Sequence, residues 1–92
     1  MKTYMIGYDL NHPGQDYTSL EDAIKVLGTW WHCLDSTWIV KTNQSATSIR
    51  NTLKSHIDAN DELLVAALNG ESAWTGFDNK CSGWLKDNIT PS

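Results

Sequence analysis

Basic side chains are scarce in this chain. Seven lysines and arginines stand against eleven acids, the formal charge is -4, and Arg50 is the only arginine. A protein built to grip a phosphate backbone presents a basic surface, so tight nucleic-acid binding by a single copy is not expected. No apolar run approaches the roughly 20 residues that span a bilayer, so no membrane is expected. The N-terminal stretch carries Lys2 but no apolar signal core, and a cytoplasmic protein is expected. Cysteine is limited to Cys33 and Cys81, which form neither a CxxC pair nor a metal pair. Both are expected as reduced thiols, with Cys33 serving as inert packing. No Gly-rich phosphate loop and no Ser-His-Asp or Cys-His signature is present. The three histidines, His12, His32 and His56, share no metal-ligand spacing.

Against these shortages, 40% of the 92 residues are hydrophobic and 20% charged, which describes one small globular domain, residues 1–92. Five tryptophans are the compositional outlier. They suit a core, an interface or a stacking platform for bases.

The chain opens with alternating residues: Tyr4, Ile6, Tyr8 and Leu10 on one face, Met5, Gly7 and Asp9 on the other. Both faces are apolar until Asp9, the pattern of a central strand. Asn11-His12-Pro13-Gly14 then suits a type II turn. A helix follows from Thr18, with Thr18 and Glu21 as a capping box and Leu20, Ala23, Ile24 and Leu27 as its apolar stripe, stopping at Gly28. Thr29 to Leu34 and Thr37 to Thr42 read as a strand pair turning at Asp35-Ser36. Because neighbouring strand residues face opposite ways, only one of Trp30 and Trp31 can enter the helix-side core. The other, with Trp38 near it, belongs to the open face or rim. Ser45 caps a second helix carrying Ala46, Ile49, Leu53 and Ile57, with Asn60 in a left-handed terminal position. Glu62 to Leu68 is a fourth strand ending at Asn69-Gly70. Residues 71–92 form a C-terminal extension in which Ser82 caps a short helix.

The order β-α-β-β-α-β predicts an α+β ferredoxin-like sandwich: a four-stranded antiparallel sheet with both helices on one face. The opposite sheet face is also apolar, which calls for a partner, and a two-fold homodimer is the economical answer.

The stretches "YMIGYDL" and "CLDSTWIV" resemble the CRISPR-associated Cas-two nuclease family, with Tyr8-Asp9 closing the first strand and Ser36-Thr37-Trp38 opening the third. Over nearly the whole chain, "YDLNHPGQDY", "LGTWWHCLDSTWIVKT" and "DELLVAALNGESAW" resemble the small SinR-like proteins of bacteria and phages. The resemblance implies a ferredoxin-fold homodimer in which strand-end aspartates of two protomers face each other and hold a divalent metal. Asp9 is then the candidate catalytic residue and metal ligand, and magnesium the candidate cofactor, because a hard cation takes carboxylate oxygens and water. The competing reading is an Asp9 that caps its loop by accepting N–H bonds from Asn11 or His12. Tyr8, His12, Asp16, Trp31 and Trp38 are the candidate ligand contacts. Two functions are therefore expected in competition. One is a homodimeric, metal-dependent endonuclease acting on nucleic acid. The other is a non-catalytic binder of a nucleotide-sized ligand or a protein partner, as in a phage or defence-system accessory.

Overall fold

In the computed structural model, which describes residues 1–11 and 16–89, the chain is an α+β structure with a four-stranded antiparallel sheet and three helices. The elements are β1 (Lys2–Asp9), α1 (Thr18–Lys25), β2 (Thr29–Trp31), β3 (Thr37–Thr42), α2 (Ala46–Lys54), β4 (Glu62–Ala67) and α3 (Asn79–Asn88). The strands lie in the order β2-β3-β1-β4, so β1 is hydrogen-bonded on both sides and β2 and β4 are the edges. His12, with the turn around it, lies outside the described residues.

Alternation along β1 assigns its side chains to two layers. Tyr4 and Ile6 enter a core with Trp38 and Val40 of β3, Leu20, Ile24 and Leu27 of the α1 region, and Ile49 and Leu53 of α2. Register brings these pairs together, Tyr4 opposite Val40 and Ile6 opposite Trp38. Fully burying each such aliphatic side chain stabilises the fold by roughly 1.5–3 kcal/mol. Trp38, expected on the open face or rim, is fully buried beneath the helices. Its indole fills the middle of the sheet, and its Nε1 donates to Tyr8 Oη at 3.0 Å.

The second face is half covered. Trp31, Ile39 and Leu85 form a separate buried cluster, with Cys33, Leu68, Trp74, Phe77, Cys81, Trp84 and Ile89 packed around it. The C-terminal segment thus crosses the β2–β3 half of the sheet, and α3 seals it. Trp31 meets Phe77 edge-on at 5.1 Å between centroids. The β1–β4 half remains open, with Leu64 57% exposed. The expectation of an apolar face that only a second copy could cover is narrowed to that open half.

Cys33 and Cys81 are joined in a disulfide. This overturns the expectation of two reduced thiols and of an inert Cys33. Strand β2 ends at Trp31, so Cys33 sits in the connection rather than mid-strand, within reach of α3. Two helix caps also differ from expectation, although α1 begins at Thr18 as expected. Asp16 rather than Thr18 supports the start of α1, accepting from the Thr18 N–H at 2.9 Å and from the Thr18 hydroxyl. Asp78 rather than Ser82 caps α3, accepting from the Cys81 N–H at 2.8 Å. Ser45 caps α2 as expected, accepting from Ser48 at 3.1 Å. Asn60 is not left-handed, since among the described residues only glycines have positive φ. Helix α2 has already ended at Lys54. Among the described residues no helix is long and apolar enough to cross a membrane.

Gly28 follows the end of α1, but its role lies elsewhere. A Cβ there would stand 2.2 Å from the Lys41 carbonyl oxygen, so β2 approaches β3 too closely for any side chain. Gly28→Ala is expected to destabilise the protein by roughly 1–3 kcal/mol through backbone displacement, read as a lower urea midpoint. An unchanged midpoint would show that the strand shifts without cost.

Candidate functional site

Asp9 is the last residue of β1 and is exposed. Its antiparallel partner is Glu62, the first residue of β4, with Gly7 opposite Leu64 one step inward. Residues directly opposite in an antiparallel pair share a face, with Cβ atoms about 4.5–5.5 Å apart. Asp9 and Glu62 are therefore neighbouring carboxylates at the open end of the half-covered face. Gly7, where a Cβ would meet nothing within 4 Å, leaves the floor beside them hollow. Ser36 and Thr37 close the far side, the Tyr8 N–H donating to the Ser36 carbonyl at 3.1 Å. The resulting cavity is about 410 Å³ and is lined by no lysine or arginine.

The loop beside this cavity is held by a different acid. Asp61 accepts from the Asn11 N–H at 2.7 Å, the Tyr17 hydroxyl at 2.9 Å and the Asp58 N–H at 2.9 Å. The Asn11 side-chain amide adds a bond to the Asn60 carbonyl at 2.6 Å. The loop-capping role considered for Asp9 with Asn11 thus belongs to Asp61. Among the described residues nothing hydrogen-bonds the Asp9 carboxylate.

The other sequence-predicted residues are dispersed. Tyr8 borders the cavity through its place in β1, while its side chain lies on the helix-covered face against Trp38. Burial pushes the Tyr8 hydroxyl above its ordinary value of 10.0; the Trp38 bond opposes this and the Glu21 charge adds to it. Trp38 is sealed on that face, with His32 stacked on its ring at 3.7 Å and 13°. Trp31 is buried on the opposite face and donates from Nε1 to the Cys81 carbonyl at 3.1 Å. Asp16 stands at the start of α1, its carboxyl held below the usual range by the Thr18 hydroxyl and then the Thr18 N–H. The accessible indole is Trp30, 42% exposed, with Lys25 Nζ 5.2 Å from its ring centroid.

Two carboxylates with nearby hydroxyls form an oxygen donor set, which suits a hard cation that keeps most of its water. Among the described residues no group of three histidine, cysteine or acidic side chains is placed to hold a metal ion. Asp9 and Glu62 by themselves thus bring two carboxylates together at this end of the sheet. Sequence reasoning missed Glu62, because the register between the first and last strands is not written in either strand alone. No family model matches the chain, and no solved structure matches it.

Tyr8→Phe removes the acceptor of a buried indole N–H and is expected to cost about 1–3 kcal/mol. The raised Tyr8 value also has a pH consequence. The unfolded chain ionises first, so Tyr8's contribution is complete below pH 10 and falls as pH rises above it. Urea midpoints should decline less between pH 9 and 11 in Tyr8→Phe than in the parent; parallel declines would exclude this origin. Asp61→Ala is expected to speed hydrogen exchange at the Asn11 and Asp58 amides, and unchanged protection there would remove Asp61 as the loop's anchor.

Proposed function

We propose that this chain is a ferredoxin-like, Cas-two-like protein that works as a cytoplasmic homodimer on nucleic acid, using magnesium held by Asp9. The βαββαβ element order, the sheet order β2-β3-β1-β4, and α1 and α2 packed on one face support the fold reading. The observation that carries the functional reading is the Asp9–Glu62 pair at the end of an uncovered sheet half. Two copies meeting over the exposed Leu64 strip bring both acidic pairs toward the symmetry line. Like charges there repel unless a cation or proton intervenes. A bound magnesium supplies an activated water and neutralises charge on a phosphodiester. Asp9 would hold it, Glu62 would add an oxygen ligand or take a proton from the water, and the Gly7 hollow would leave room for the phosphate. The low count of lysine and arginine means that affinity for a strand comes from the paired sites and the metal rather than from a basic track.

A second reading, a non-catalytic binder of a nucleotide-sized ligand, is favoured by one observation. Trp30 is the exposed indole and carries Lys25 above it, an aromatic plane beside a cation that suits a base and its phosphate.

Cleavage of single- and double-stranded RNA and DNA, with and without magnesium, separates the two. Under the nuclease reading, Asp9→Ala lowers the rate by roughly 100-fold or more, the order of loss for an essential acid–base or charge-stabilising group. Glu62→Gln lowers it less, and sedimentation gives a dimer. Magnesium-independent cleavage, or cleavage unchanged in Asp9→Ala, would sink that reading. Absence of cleavage together with quenching of Trp30 by nucleotides would select the binder.

A further inference from the structure

The Cys33–Cys81 bond ties two segments 48 residues apart in sequence, the β2–β3 connection and the first turn of α3. Helix α3 is the cover over Trp31 and Ile39. Its C-terminal end has an anchorage of its own, because Thr3 Oγ1 donates to the Asn88 carbonyl at 2.9 Å. Leu85, in the middle, is 2% exposed. Its N-terminal end is held by the disulfide and by the bond from Trp31 Nε1 to the Cys81 carbonyl. In the middle of α3, beside Leu85, Trp84 Nε1 is buried without an acceptor among the described residues, which costs stability.

The bond is also approachable. Both cysteines are only partly buried, and both line a cleft of about 490 Å³ together with Trp31, His32, Lys80 and Trp84. Lys80 places a cation next to Cys81 in sequence, and a thiolate expelled at Cys81 would form in the first turn of a ten-residue helix. Both features favour an anionic sulfur. Asp78 opposes them, although its carboxylate is engaged by the Cys81 N–H.

We propose that Cys33–Cys81 is a reversible thiol-exchange site, at which a dithiol reductant entering this cleft opens the bond and releases the N-terminal half of α3 from the sheet. The first reductant thiolate attacks the Cys33 sulfur. A mixed disulfide forms there, and the Cys81 thiolate leaves. The second reductant thiolate then attacks the reductant sulfur of the mixed disulfide and expels the Cys33 thiolate. Two electrons pass to the protein sulfurs, the reductant closes into its own disulfide, and its two protons go to Cys33 and Cys81. In the cytoplasm, the location on which the proposed function rests, disulfides are characteristically of this transient kind. The reduced form uncovers Trp31 and Ile39 beside the already open β1–β4 half, so the apolar sheet face becomes continuous.

The test treats the native protein with dithiothreitol, follows thiol release by maleimide mass shift, and maps hydrogen exchange before and after. Reduction is expected to run at least ten times faster than exchange of the β1 and β3 core amides, which reports global opening. In the reduced form, amides of residues 82–85 are expected to exchange at least ten times faster while β1 and β3 stay protected, and Trp emission shifts to the red. Reoxidation restores both. Lys80→Met is expected to slow reduction several-fold without changing the exchange of the oxidised protein, because the cation favours the departing Cys81 thiolate. Reduction only at the rate of global opening, unchanged protection of α3 once reduced, or a Lys80→Met rate equal to that of the parent would each overturn the proposal.

Discussion

Strand β1 is bonded along both edges, and that double commitment organises the molecule. A strand so placed cannot slip by one residue without exchanging its two faces. Tyr4 and Ile6 must then lie beneath the helices, and Met5, Gly7 and Asp9 must lie on the other side. The same register that fixes Ile6 against Trp38 and Val65 also sets Asp9 against Glu62. Core and acidic pair are thus two readings of one ladder. The acids stand at the C-terminal end of β1 and the start of β4, where apolar packing has run out.

The two layers are finished by different means. Helices α1 and α2 cover their face with ordinary aliphatic stripes around Leu20, Ile24, Ile49 and Leu53. Neither α1 nor α2 lies on the opposite face, and the C-terminal segment covers its β2–β3 half with aromatics, Trp31 against Phe77 among them. Polar bonds fix the orientation of these large rings. Trp38 gives its N–H to Tyr8, and Trp31 gives its N–H to the Cys81 carbonyl. Tryptophan is abundant here because a thin sheet with two apolar faces needs wide side chains to close each layer.

Periodicity made the strands, both sheet-packing helices and the Ser45 cap legible, because each depends on neighbours a few residues away. What escaped depends on distant parts of the chain. Trp38 read as a rim residue because nothing local says which face of β3 meets the helices. Gly28 read as a helix stop, whereas its reason is a carbonyl in β3. Cys33 and Cys81 read as unrelated thiols because their meeting requires α3 to fold back across the sheet. At the candidate site, Asp9 was visible as an acid where an apolar run ends, but Glu62 became its neighbour only through pairing of the first and last strands. Tyr8 and Asp9 are adjacent in both sequence and cavity lining, while Trp31 and Trp38 fall on opposite faces.

The two rims of the sheet are unequal. Strand β2 offers three residues, whereas β4 offers six with Leu64 projecting from the middle. A strand contributed from outside finds a usable row of amides along only one margin. The three-residue β2 margin gives an added strand little to pair with, which is one way a sheet edge is blunted.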